Sequence, residues 1–85
     1  MEKLTDLPNI GVELERQLNL VGITTFNELE ILGAERAWLK IQEIDSSACY
    51  HRLLALEGAI QGVKKTFLAN ESKERLKEFY KQNKI

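Results

Sequence analysis

Cysteine, proline, histidine and tryptophan each occur once in this 85-residue chain. A lone cysteine excludes an internal disulfide framework and a cysteine-based zinc site. It fits a reducing compartment. A lone histidine leaves no second imidazole for a metal triad. No hydrophobic run approaches the roughly 18 residues that a membrane span needs. The opening residues Met1-Glu2-Lys3-Leu4-Thr5-Asp6 hold no apolar stretch of the kind a secretory signal requires. Net charge is also nearly absent, with 12 Lys+Arg against 13 Asp+Glu and a sum of −1. That balance argues against strong non-specific attraction to nucleic acid. Few stretches alternate as strands do.

What is present is a helical pattern. Hydrophobic residues make up 44% and charged residues 29%, as in ordinary globular domains. The length allows one domain, residues 1–85, with a thin core, because a chain this short buries only roughly 60–65% of its unfolded surface. Leu14, Leu18 and Val21 fall on one helical face, and Gly22 is placed to end that helix. Thr25-Phe26-Asn27-Glu28 reads as a capping box for a short helix that stops at Gly33. Ala34, Ala37, Trp38, Ile41 and Ile44 share the next face. Asp45-Ser46-Ser47 offers N-cap oxygens for a long helix from about Ala48 to Lys65, with Cys49, Leu53, Leu56, Ile60 and Val63 at helical spacing. Asn70 is expected to cap a last helix carrying Leu76, Phe79 and Tyr80. Glu71 and Glu78 are expected to pair with Arg75 and Lys81 along it. The expected fold is all-α, a compact bundle of about five short helices.

The charge is unevenly spread. Residues 1–45 hold four basic and nine acidic side chains, a net −5, while residues 46–85 hold eight and four, a net +4. Such a split suits attraction between the halves, pairing of two copies, or a basic face for a partner, beside its plainest meaning as solvated helix surface.

Two local features stand out. In Leu7-Pro8-Asn9-Ile10-Gly11, Pro8 fixes its own φ, Asn9 and Gly11 tolerate left-handed backbone, and Ile10 is placed to point inward. A helix opening just after it leaves early amides free, which makes a nest for an anion. The segment resembles the hairpin of helix-hairpin-helix modules, which hold a DNA phosphate in this way. Asn9 stands where that pattern has its first glycine, and Glu13 and Glu15 stand where a phosphate wants base. Pro8, Asn9, Ile10 and Gly11 are thus candidates for a structural turn or for a phosphate or partner contact. The second feature is Ala55, Gly58, Ala59 and Gly62, a small-residue stripe at helical spacing. Two glycines inside a helix cost roughly 1 kcal/mol each against alanine, so a close backbone approach is expected there, within the domain or against a second copy.

These motifs, with Val21-Gly22-Ile23-Thr24-Thr25 and Leu32-Gly33-Ala34, occur in an order and spacing that resemble the TfoX C-terminal domain. That domain is the helix-hairpin-helix-like half of bacterial TfoX/Sxy competence regulators. The resemblance covers about Leu4 to Tyr80. It implies an all-helical, SAM-like domain of the bacterial cytoplasm, without catalytic activity or cofactor, acting in regulation of competence-gene transcription. The family's N-terminal domain has no counterpart here, so the chain reads as a stand-alone member or as one domain of a longer protein.

Catalysis finds no support in the residues. Cys49 and His51 are two apart and face different ways on a helix. Glu13 with Glu15, and Glu28 with Glu30, diverge for the same reason. Cys49 reads as a small core residue and His51 as a surface one. Trp38, Tyr50, Phe67 and Tyr80 read as core or interface anchors. The leading expectation is a non-enzymatic protein-interaction module, self-associating as a dimer. The alternative is nucleic-acid binding through the hairpin or through Lys73, Lys77 and Lys81, which form a basic stripe with Lys84. No membrane contact and no small-molecule substrate is expected.

Overall fold

Left-handed glycines set where the helices stop. The computed structural model describes residues 3–85; Met1 and Glu2, which entered the reading of the N-terminus and its charge, lie outside them. Five α-helices follow in order: α1 (Val12–Leu20), α2 (Phe26–Leu32), α3 (Ala34–Ile44), α4 (Tyr50–Gln61) and α5 (Asn70–Asn83). Single 3-10 turns at Leu4–Asp6 and Lys65–Phe67 precede α1 and α5. No strand occurs among the described residues. The fold is all-α, as the periodicity predicts.

The predicted capping box is present. The Thr25 hydroxyl accepts from the Glu28 amide at 3.1 Å, and the Glu28 carboxylate accepts from the Thr25 amide at 3.1 Å. Gly33, at φ 89°, ends α2 and starts α3 without an intervening loop, a backbone that a Cβ would disfavour. After α1 the Ile23 amide reaches back to the Leu18 carbonyl at 2.8 Å, the 6→1 bond of a Schellman motif.

Five local expectations are corrected. The long helix over 48–65 is shorter, because Gly62 adopts a left-handed φ of 78° and the Val63 amide closes a second Schellman motif on the Gly58 carbonyl. Gly62 therefore terminates α4 instead of belonging to its small-residue face. At the start of α4, Asp45 caps nothing in the helix. Its carboxylate accepts from the Ser47 amide two residues on, an Asx turn, and extended Cys49 takes the N-cap position with its side chain exposed. Cys49 is not a core residue. Asn70 is likewise the first residue of α5, not its cap; Ala69 holds that position with no side-chain bond. Gly11 is extended at φ −91°, so only Asn9 of the hairpin is left-handed, at φ 70°.

α4 lies at the centre, flanked by α3 and α5, with α2 closing one end. Trp38 is fully buried among Leu18, Leu29, Ile41, Leu53, Leu56 and Leu76. Its indole N–H donates to the Cys49 carbonyl at 3.1 Å, and Phe79 and Tyr80 meet its ring edge-on at 6.1 and 5.6 Å. This cluster docks α5 onto α3. Arg75 sits between Glu35 at 3.5 Å and Glu57 at 3.7 Å, tying α5 to both neighbours in place of the predicted pair with Glu71. Phe67 is 74% exposed, so it is not a core residue. Among the described residues no helix is long and apolar enough to cross a membrane.

Candidate interaction surfaces

The hairpin is held from inside. The Asn9 side-chain amide donates to the Val63 carbonyl at 2.9 Å and, more weakly, to the Ala55 carbonyl at 3.4 Å. Its side-chain oxygen accepts from the Lys65 amide at 3.0 Å. One side chain thus joins the N-terminal hairpin to the end of α4 and to the turn beyond it. Gly58 makes room for this: a Cβ there would fall 2.5 Å from Asn9 Nδ2 and 2.7 Å from the Val63 carbonyl oxygen. Ala55, Gly58 and Ala59 are buried by the chain itself, and Ile10 is buried beneath the turn. Glu15, one of the two carboxylates beside the hairpin, accepts from the Thr5 amide at 3.2 Å, and Glu13 pairs with Arg16. Both acids therefore have partners within the N-terminal segment.

The tertiary fold brings base to the hairpin that the local sequence withholds. Pro8, Asn9, Lys64, Lys65 and Thr66 line one depression. Lys65 and Thr66 continue into a second with Tyr50, His51 and Lys73. Tyr50 continues into a third with Lys77, Tyr80, Lys81 and Lys84. The three form one groove from the hairpin along α5. The Tyr50 hydroxyl donates to the Lys73 carbonyl at 3.0 Å, and the Lys73 ammonium donates to the Thr66 carbonyl at 3.1 Å, which fixes the middle of the floor. Asp6 is the one carboxylate among the lining residues. The ion pairs among the described residues all use arginine, so these lysines keep their charge uncompensated at contact distance. Sequence reading found Lys73, Lys77 and Lys81 but missed Lys64 and Lys65; the adjacent lysine pair just after a helix-ending glycine was the available signal.

A second surface is apolar. Ile31 is 78% exposed on α2, and Leu20 is 62% exposed at the end of α1. Ile31 is one wall of a shallow groove that Val21, Ile23 and Leu32 also line, together with Glu28, Arg36 and Lys40. Periodicity places Ile31 on a helix but gives no account of its exposure.

A polar junction joins α1 to the start of α4. The Asp45 carboxylate accepts from the Ser47 hydroxyl and amide, from Gln17 Nε2 at 2.8 Å and from Arg52 at 3.1 Å. Those bonds, the Ser47 hydroxyl foremost, hold the carboxyl well below its ordinary range. A carboxylate depressed in the folded state stabilises the fold above its unfolded pKa of about 4 and loses that contribution as pH falls. Stability is therefore expected to decline through and below the ordinary carboxylate range. Asp45→Asn is expected to flatten that decline in urea titrations from about pH 5 down to about pH 2; an unchanged slope would assign the acid sensitivity to other groups.

No group of three or more His, Cys, Asp or Glu side chains among the described residues is placed to hold a metal ion. His51 is exposed and lies against Tyr50, with ring centroids 5.9 Å apart. Glu57 is held by Arg75 and by Gln61.

The family model of the TfoX C-terminal domain matches residues 1–80. Protein Sxy of Escherichia coli (strain K12) is 38% identical over 78 residues, which is 92% of this chain and 37% of that protein. DNA transformation protein TfoX of Haemophilus influenzae is 36% identical over 76 residues, 89% of this chain and 35% of that protein. The chain thus spans little more than a third of the length of these two relatives. Two crystal structures of Listeria monocytogenes proteins superpose on it. One has a TM-score of 0.94 at 44% identity, covering 95% of this chain and 92% of the other. The second has a TM-score of 0.91 at 46% identity, covering 93% and 96%. The matched span takes in the hairpin, the capping box and the α4 glycines, and on that ground the chain belongs to the TfoX C-terminal domain family.

Proposed function

We propose that this chain is a non-catalytic interaction domain of the bacterial cytoplasm, that it serves regulation of DNA transformation, and that its partner is a second copy of itself. The regulatory part is supported by relatives such as DNA transformation protein TfoX. The self-association rests on one observation: Ile31, 78% exposed, walls an apolar groove that no other part of the chain covers among the described residues. In a two-fold interface the same patch meets itself, so it must carry both a knob and a hole. Ile31 supplies the knob, and Val21, Ile23 and Leu32 supply the hole. The rim also carries both signs, with Glu28 opposite in charge to Arg36 and Lys40, as self-pairing requires. The small-residue face of α4, the earlier candidate for self-association, is filled within the domain, so the α2 patch takes that role.

Burying one isoleucine contributes about 1.5–3 kcal/mol, so two supply about 3–6 kcal/mol, against which the cost of association must be set. Sedimentation equilibrium is expected to show concentration-dependent dimers that are weak, with a Kd of about 0.1–1 mM. Ile31→Asp is expected to shift the chain to monomer while leaving it folded, as its circular-dichroism spectrum checks, because the side chain is 78% exposed. A wild-type chain that stays monomeric, or a dimer indifferent to Ile31→Asp, would overturn this reading.

A further inference from the structure

We propose that the lysine groove running from the hairpin along α5 binds the phosphate backbone of duplex DNA without reading its sequence. The groove is separate from the α2 patch and draws its charge from three parts of the chain. Lys64 and Lys65 follow α4, Lys73 opens α5, and Lys77, Lys81 and Lys84 continue along it. From Lys73 to Lys84 the helix axis advances about 16 Å at 1.5 Å per residue. One DNA strand places a phosphate at about every 3.4 Å of axis, so this row matches a stretch of about five.

The chemistry of the walls selects the ligand. Every cation in the groove is lysine, a point charge suited to phosphate oxygens; arginine, which reads guanine edges as a fork, is missing from it. The aromatic rings are committed elsewhere. Tyr50 is tethered by its hydroxyl to Lys73, and Tyr80 is wedged edge-on against Trp38 with Tyr50 at 5.8 Å. Both rings are half-buried, and Lys84 Nζ lies over the Tyr80 ring at 5.8 Å from its centroid. Glu71, Glu74 and Glu78 lie on the adjoining stripe of α5. Glu74 is near enough to Tyr50 to add to the burial that raises its phenol pKa, and Glu78 bonds Gln82. None of the three is in an ion pair with the groove lysines. The near-zero net charge of the whole chain is no obstacle, since a phosphate backbone responds to the face it meets within about 10 Å at 0.1 M salt.

Fluorescence anisotropy with a short fluorescein-labelled duplex of random sequence tests this. At low salt the wild-type chain is expected to bind, with log affinity falling against log salt at a slope of about −3 to −5. The triple variant Lys77→Glu, Lys81→Glu, Lys84→Glu is expected to bind more than 10-fold more weakly and to lose about three from that slope, each phosphate contact supplying about one. These side chains are exposed, and a circular-dichroism melt checks that the variant folds. Lys77→Gln with Lys81→Gln gives a milder version, expected to lose about two. Arg16→Gln, at an exposed side chain that lines neither surface, is expected to leave binding unchanged. Absence of binding at about 50 mM salt would overturn the proposal. So would triple-variant binding equal to wild type, tighter binding to a single strand of equal length, or displacement by polyglutamate as effective as by duplex; the last would point to an acidic protein surface instead.

Discussion

Replacing Gly58 with alanine is expected to lower the melting temperature by about 10–20 °C, the shift that 2–3 kcal/mol produces in a domain of this length. Helix propensity alone predicts the opposite, since alanine is better than glycine in a helix by roughly 1 kcal/mol. Sterics decide. The added Cβ would lie 2.7 Å from the Val63 carbonyl oxygen and 2.5 Å from Asn9 Nδ2. The Val63 carbonyl is backbone, pinned by the Schellman bond from the Val63 amide to the Gly58 carbonyl and by the Asn9 amide. It has no rotamer to yield. Overpacking of this kind costs about 1–3 kcal/mol for a methylene or so, and more for a branched side chain. Gly58→Leu is therefore expected to leave the chain unfolded or molten at room temperature. Thermal melts followed by circular dichroism check both substitutions. A Gly58→Ala chain as stable as wild type, or more stable, would mean that the hairpin can lift off α4 at little cost.

The reading of the sequence failed where contacts cross long stretches of chain. Helix existence followed from periodicity, and the Thr25 capping box and the Gly33 junction were legible because each is settled within four residues. The α3 boundaries were legible too: Ala34 to Ile44 carries its own glycine start and its own apolar face. The limits of α4 were misread, since Gly62 sits in register with the small-residue face and only its φ reveals that it ends the helix. Cys49 fell on an apolar stripe yet is exposed, because the Asx turn at Asp45 delays the helix by two residues. The deficit of base at the hairpin was a local truth only. Lys64 and Lys65 reach it across 54 residues or more of sequence, on a path set by the Asn9 bonds to Val63 and Lys65. Exposure of Ile31 was invisible for a different reason: an apolar residue inside a helical pattern says nothing by itself about whether another element covers it.

Asn9 carries the second large effect. Asn9→Ala is expected to destabilise the fold by about 3 kcal/mol, from the loss of its bonds to Val63 and Lys65 at roughly 1 kcal/mol each and the strain of a left-handed alanine at roughly 1 kcal/mol. Asn9→Gly removes the same bonds and adds none of that strain, so it is expected to cost about 2 kcal/mol. The gap between the two variants measures the backbone contribution, and equal losses would show that φ 70° at Asn9 is not a constraint. The pairing with Gly58 makes the test sharper. In an Asn9→Gly background the nearer of the two clashes at Gly58 is gone, while the Val63 carbonyl remains. Gly58→Ala is then expected to cost about 1 kcal/mol less than in wild type, a coupling within the range seen for residues in contact. Additive losses would separate the two residues and place the strain at Gly58 wholly on the Val63 carbonyl. A coupling of the expected size would identify Asn9 as a clamp that a glycine on α4 exists to admit, and would explain physically why asparagine stands at the turn where a phosphate-binding hairpin has glycine.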